Sequence, residues 1–383
     1  MGVFYGWRIV AACMLCSLVG NALGLFGAGV YLHQVVIANG WTTGVVSGAV
    51  TMFYLVSALL LIPVGSGIRK VGPRPIVAIS GVALAGGIIL IGRATTPWEA
   101  YLAFLLMGVG WAGLSLTAVA TTVAPWFEQY QGRAVSIASL GASAGGILGA
   151  PVLLFGISRI GFAATTLMAG ACALVIIVAL AAFVLRSRPQ DSAIAGWLVG
   201  GNKCRKYRYK ELDAVFCAEN VGFLTHQIFL LAQSFDPFAI SFNVSSTAVA
   251  ALAGRVGLAR FADQLDARVT TAVALVAAAT SFMAMAAFPF APVLVVANII
   301  FGLTVGNVTT LSPIIVRREF GAKAFGLVFG VASCAIQLVA AMGPSFYGVL
   351  HDAFGSYDLA LVSAAVLDIF AATIIFASRN FTA

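Results

Sequence analysis

About twelve apolar segments, each long enough to cross a bilayer, follow one another along these 383 residues. A hydrocarbon core of about 30 Å takes roughly 20 apolar residues of helix. Hydrophobic residues make up 61% of the chain and charged ones 9%, with a mean hydropathy of +1.03. A water-soluble fold of this length would need a charged surface that this chain does not have. Backbone polar groups in lipid must be satisfied within their own segment, and there is no alternating strand pattern. The sequence therefore predicts an all-α membrane protein of twelve transmembrane helices.

The spans read Arg8–Leu32, Trp41–Gly65, Pro73–Gly92, Trp98–Ala124, Arg133–Ile157 and Gly161–Leu185, then Ala214–Gln233, Asn243–Ala262, Val269–Phe288, Ala291–Val316, Ala324–Val349 and Tyr357–Ser378. Residues 1–186 form an N-terminal six-helix bundle, 187–213 a cytoplasmic linker and 214–383 a C-terminal six-helix bundle. The first span is too long for a secretory h-region and reads as a retained helix. The seventh is interrupted by Glu219 and Asn220, which predicts a short, tilted or broken helix.

Charge orients the bundle. With the N-terminus inside, the inner connections hold 18 of the 21 cations. The outer ones hold Arg93 and Arg159, and Arg255 alone falls inside a span. This bias is what the positive-inside rule predicts, with both termini cytoplasmic. The short loops point to a bacterial inner membrane. The basic run from Lys203 to Lys210 ("KCRKYRYK") reads as a linker against anionic headgroups rather than a nucleic-acid site. Cys13 and Cys16 form a C-x-x-C on one helix with no His or carboxylate nearby, so packing is their expected role.

Several features recur 193 to 194 residues apart: Arg74 with Arg268, Gly108 with Gly302, Phe127 with Phe320, Pro151 with Pro344. Six helices per half is an even number, so the copies share orientation. Parallel repeats of this kind place a binding site near mid-bilayer between the halves and predict alternating access. Gly141, Gly145 and Gly149 on the fifth span, with Gly326 and Gly330 on the eleventh, predict close helix approach at a rocking interface.

The turn after span two, "GSGIRKVGPRP" (Gly65–Pro75), and that after span eight, "ARFADQLDAR" (Ala259–Arg268), resemble the loop pattern of the major facilitator superfamily. Gly65, Lys70, Gly72 and Arg74 fit it, and Arg69 stands where the family has an acid. Asp263 and Arg268 fit the second copy. In the family this loop helps latch the cytoplasmic side, so these seven residues are candidate gating positions. "APWFEQYQGRA", "GRVGLARFAD" and "VRREFGAKAFGLVFG" are similar to the monocarboxylate porter and oxalate/formate antiporter branch. That resemblance implies that Arg255 grips a substrate carboxylate. The oxalate pattern has a lysine in span eleven, where this chain has Ala335 and Gln337.

An arginine at the bilayer centre costs about 2.5–3.5 kcal/mol on insertion scales and usually faces a wet cavity. Arg255 cannot be neutralised, and its planar fork matches a carboxylate. Counted at about 1.5 Å per residue, His226, Gln337, Asn21, Trp111 and Tyr54 fall near its depth and are candidate substrate-binding residues. His226 could also carry a coupled proton. Asp368, midway along span twelve, should turn inward or be protonated, and the sequence gives it no functional role.

No G-x-x-x-x-G-K-[ST] loop, metal-ligand set, activated nucleophile or paired carboxylates can be read from the sequence, so no cofactor, metal or enzyme activity is expected. The expected partners are a small organic anion and the lipid bilayer, with a coupled proton as a candidate, and no nucleic acid. The expected function is secondary transport of that anion, most simply a monocarboxylate, by proton symport or anion exchange. An efflux carrier for an amphipathic compound and a transport-inactive sensor on the same scaffold are the alternatives.

Overall fold

The computed structural model describes residues 4–127, 131–186, 210–261, 266–306 and 333–377. Among these the secondary structure is helical, in twelve segments. They are α1 (Tyr5–Asn39), α2 (Thr43–Val71), α3 (Pro73–Ile91), α4 (Pro97–Trp126), α5 (Gln131–Ile160) and α6 (Phe162–Val184) in the first half. The second half has α7 (Lys210–Ala232), α8 (Pro237–Phe261), α9 (Ala267–Ala287), α10 (Ala291–Gly306), α11 (Ser333–Phe354) and α12 (Asp358–Ala377). Ten helical stretches are long and apolar enough to cross a membrane, and α10 is a shorter apolar helix.

Local chemistry sets the ends of these helices. Thr96 and Glu99 form a capping box that starts α4, with Pro97 at its first position. Gly72 takes φ 90° between α2 and α3, a conformation that glycine adopts without a Cβ penalty. Large apolar side chains such as Ile79, Phe155, Val175, Phe183, Phe242 and Phe370 remain exposed and form the lipid-facing surface.

Inside each half, small residues let backbones touch. A Cβ on Gly108 would meet the Phe53 carbonyl, and one on Gly302 would meet the Thr247 carbonyl. Both members of the first pair are separated from those of the second by the same 194 positions, so the repeat read from sequence is also a repeat of contacts. The Gly141, Gly145 and Gly149 stripe behaves differently from expectation. Each faces the backbone of α1 in its own half (Met14, Leu18 and Ala22) and holds α5 tightly to α1. The rocking-interface role does not fall to this stripe. Gly146 is the one in that run that faces the other half, at Ala248. Gly326 and Gly330 lie outside the described residues.

Of the three alternatives expected for it, α7 is not broken: it runs unbroken across Glu219 and Asn220, though it is not among the ten helices apolar enough to cross a membrane. Both side chains are buried, so the helix keeps its register by turning its polar positions inward rather than by breaking. Three other helices do lose regularity in mid-course. A π turn spans Asn21–Leu25 in α1, a turn at Gly113–Leu114 divides α4, and another at Ala341–Met342 precedes Gly343 and Pro344 in α11. Irregular backbone at membrane depth is tolerated only where protein or a water-lined cavity surrounds it.

Candidate functional site between the halves

Hydrogen bonds join the two halves along one side of the bundle. At the end where α2 begins, the Asp352 carboxylate on α11 accepts from the backbone N–H groups of Thr43 (3.1 Å) and Gly44 (2.7 Å). These are orphan donors at a helix N-terminus, which favours an anion there. One turn deeper, Ser47 Oγ meets His226 Nε2 at 3.1 Å. Next, Thr51 Oγ1 and Ser345 Oγ lie 2.7 Å apart, and the Ser345 N–H donates to Thr51 Oγ1 at 3.2 Å. The second face of contact pairs α5 with α8. Ser245 Oγ donates to the Ile147 carbonyl at 2.9 Å, and Arg255 Nη1 donates to Ser143 Oγ at 3.1 Å. Among the described residues no hydrogen bond joins the halves nearer the arginine-rich end than Arg255–Ser143 and the Cys334 Sγ contact with the Ala58 carbonyl at 3.7 Å.

Arg255 is half-buried, on the helix that faces the other half, and no acidic side chain among the described residues pairs with it. A serine hydroxyl satisfies one of its five N–H donors. It is therefore not closed in an ion pair with these residues. On α5, Gly145 lies two residues past Ser143, on a different face of the helix, against Asn21 and Ala22 of α1. Asn21 is buried, and its amide donates back to the Ser17 carbonyl at 2.8 Å where the π turn opens. Gly24 in that turn rests on the Trp111 ring, and Trp111 packs on Phe53 with centroids 5.8 Å apart. The Trp111 indole nitrogen has no acceptor among the described residues. Tyr54, next to Phe53, is buried with its hydroxyl within reach of Thr225 on α7. Gly24 of the π turn, Trp111 and Tyr54 thus gather around Phe53, while α5 touches Asn21 through Gly145 and Arg255 through Ser143.

His226 sits 1% exposed at the junction of α7, α2 and α11. Its Nε2 faces the Pro344 carbonyl at 3.0 Å, which can only accept. Ser47 spends its own hydrogen on the Thr43 carbonyl at 2.6 Å, so Nε2 carries the hydrogen toward both oxygens. Nδ1 meets the Tyr357 hydroxyl at 3.0 Å. Gln337 is partly exposed on α11, one turn beyond Cys334.

The gating positions are divided. Gly65 is buried, Arg69 and Lys70 are exposed, and Arg69 donates to Ser66 Oγ at 3.2 Å. Arg74 Nε donates to the Leu185 carbonyl, tying the start of α3 to the end of α6 inside the first half. Asp263 lies outside the described residues, and Arg268 stands at the start of α9 behind the Asp266 cap. Residues 187–209, which include most of the basic run, also lie outside them. Cys13 and Cys16 are buried free thiols lining a small apolar crevice with Val77 and Leu114.

The Major Facilitator Superfamily family model matches residues 14–230, more than half of the chain. The chain belongs to the Major Facilitator Superfamily. Curated relatives include monocarboxylate transporter 13 of Rattus norvegicus, 25% identical over 371 residues, covering 94% of this chain and 86% of that protein. The Bos taurus protein of the same name is 25% identical over 373 residues with the same coverage. Solved structures share the fold at low identity. A bacterial homologue of the human lysosomal transporter Spinster, described as inward-facing and unoccupied, superposes with a TM-score of 0.78 at 13% identity, over 99% of this chain and 98% of that one. The nucleoside transporter NupG gives 0.78 at 11% identity, over 97% and 99%. This chain is thus a multi-pass membrane transporter of the superfamily.

Several of the residues that hold this interface were not singled out from the sequence. Ser143, Thr51, Ser345 and Asp352 are ordinary residue types whose role depends on which helix faces which.

Proposed function

We propose that this superfamily member moves a small organic anion, most simply a monocarboxylate, by alternating access. Arg255 carries the proposal: a permanent cation on the seam between the halves, whose described partner is a neutral hydroxyl. An incoming carboxylate can take the place of Ser143 and accept two parallel hydrogen bonds from the guanidinium. One such cation suits one carboxylate, and Gln337 supplies a neutral partner where a dicarboxylate would favour a second positive charge. The monocarboxylate transporter relatives support the same substrate class.

The charge bias orients the arginine-rich end to the cytoplasm of a plasma membrane, with both termini inside. The interlocked contacts from Asp352 to Ser345 then close the outer side, as in an inward-facing state. Opening that side requires Asp352 to release the start of α2, and His226 and Ser345 to release Ser47 and Thr51. Movement proceeds by proton symport or anion exchange. His226 is a candidate proton carrier, because the Tyr357 hydroxyl can either donate to Nδ1 or accept from it. Gly65, Arg69, Lys70, Gly72 and Arg74, with Asp263 and Arg268, serve as the cytoplasmic gating loops.

Uptake of labelled lactate, pyruvate, formate and oxalate into proteoliposomes tests this reading. Wild type should accumulate a monocarboxylate, and Arg255→Ala should abolish that uptake. Anion uptake that survives Arg255→Ala would overturn the role of the arginine. Anion binding by a wild type that moves none of the four would favour a sensor.

A further inference from the structure

Only two of the thirteen acids fall in the interior of a span, Glu219 on α7 and Asp368 on α12. The sequence places them far apart and offers no paired carboxylates. The fold brings them side by side, within hydrogen-bonding reach of each other, at 4% and 1% exposure. None of their four oxygens receives a hydrogen bond from a donor among the described residues. An ionised carboxylate only accepts, so two of them facing each other make no bond unless a proton lies between them. Two like charges at this separation in a low-dielectric interior cannot both persist.

A third group points into the same place. Tyr347 on α11 is 1% exposed, its hydroxyl has no hydrogen-bond partner among the described residues, and it feels both acids electrostatically. It offers the pair a donor that no other described residue occupies. The other titratable groups on the surrounding helices lie further off. His226 is two turns along α7, and His351 and Asp352 are at the end of α11. Arg255 lies on α8, and Arg268 stands at the start of α9. No permanent cation among the described residues neutralises the pair.

We propose that Glu219 and Asp368, with Tyr347, form a proton-binding site inside the second half and hold one exchangeable proton. Binding takes a proton from solvent and forms one O–H bond on a carboxylate oxygen, and release returns it to solvent. The site has a direct mechanical line to the outer seal. Glu219 and His226 are seven residues apart and so lie on one face of α7. The Tyr347 ring stacks on His226 with centroids 5.9 Å apart and an interplanar angle of 18°. Loss of the proton leaves two repelling charges between α7 and α12, and the shift of α7 reaches the His226–Ser47 contact. The coupling role rests on the transport reading, whereas the bound proton does not.

The test uses the full-length protein and its Glu219→Gln/Asp368→Asn double variant. Infrared spectra near neutral pH should show a protonated-carboxyl carbonyl band in wild type that shifts in heavy water and is absent from the double variant. Absence of that band from wild type, or its survival in the double variant, overturns the site whatever the substrate proves to be. In proteoliposomes, lactate accumulation driven by a pH gradient should fall at least tenfold in the double variant. Lactate counterflow at equal pH should persist, which also shows that the variant is folded. Unchanged gradient-driven accumulation in the variant overturns the coupling role. Wild-type accumulation that needs sodium, and loses that need in the variant, assigns the site to a metal cation and overturns the proton.

Discussion

Arg255 and His226 are both polar residues in an apolar bundle, yet their surroundings ask different things of them. Arg255 has spare donors and a neutral neighbour, so it is equipped for a guest. Removing its fork should cost about 2–3 kcal/mol of anion binding, on the order of a hundredfold in KM. Arg255→Lys keeps the charge but loses the paired geometry, and should raise KM by about tenfold while leaving kcat closer to wild type. Initial-rate uptake kinetics check this, and equal loss from Lys and Ala would show that charge alone does not suffice. His226 already has a partner at each ring nitrogen. His226→Ala strands the Tyr357 hydroxyl and the Pro344 carbonyl and should lower stability by about 1–3 kcal/mol. A drop in the thermal unfolding midpoint of the detergent-solubilised protein reads that loss, and an unchanged midpoint would contradict the latch geometry.

At the scale of helices, small residues do two distinct jobs that spacing alone does not separate. Gly145 touches the α1 backbone, with a Cβ position 2.6 Å from the Leu18 carbonyl oxygen, whereas Gly86 on α3 has nothing within 4 Å. Gly145→Ala should therefore destabilise by about 1–3 kcal/mol through overpacking. Gly86→Ala should be neutral or stabilising by about 0.5–1 kcal/mol through helix propensity. Thermal midpoints of the two variants should move in opposite directions, and a common direction would contradict the assignment of Gly145 to a closed α1–α5 seam. The existence of the helices was legible because bilayer thickness forces long apolar runs. The repeat was legible because Gly108 and Gly302 make the same contact in each half. What the stripe on α5 faces was not legible, since a 3.6-residue period gives a helix face but not its neighbour. The continuity of α7 was not legible for the same reason: Glu219 and Asn220 look like interruptions until α11 and α12 cover them. The pairing of Glu219 with Asp368 depends on that same covering.

The whole molecule is two similar bundles that meet at one end and share Arg255 near the middle. Its buried polar groups are unevenly divided. Among the described residues, Asn21 apart, those of the first half are serine, threonine and tyrosine hydroxyls. Those of the second half include Glu219, His226, Gln227, Asn243, Asn298 and Asp368. Gln227 donates to Thr247 at 3.0 Å and to Asn298 at 2.7 Å, knitting α7, α8 and α10 together. Among the described residues, the buried amide, imidazole and carboxyl groups are thus concentrated in the second half. The candidate site was legible as a depth, because Arg255 is the lone cation inside a span. Its cross-half neighbours, Ser143 and the Thr51–Ser345 contact, came only from the fold.

Rocking of the halves about Arg255 is tested most directly by locking them where Thr51 and Ser345 touch. Thr51→Cys and Ser345→Cys, in a background without the native cysteines, place two thiols at that contact. Oxidation should stop exchange of labelled lactate across proteoliposomes by at least tenfold, and reduction should restore it. Exchange that continues undiminished in the fully cross-linked protein would contradict alternating access by these two bundles.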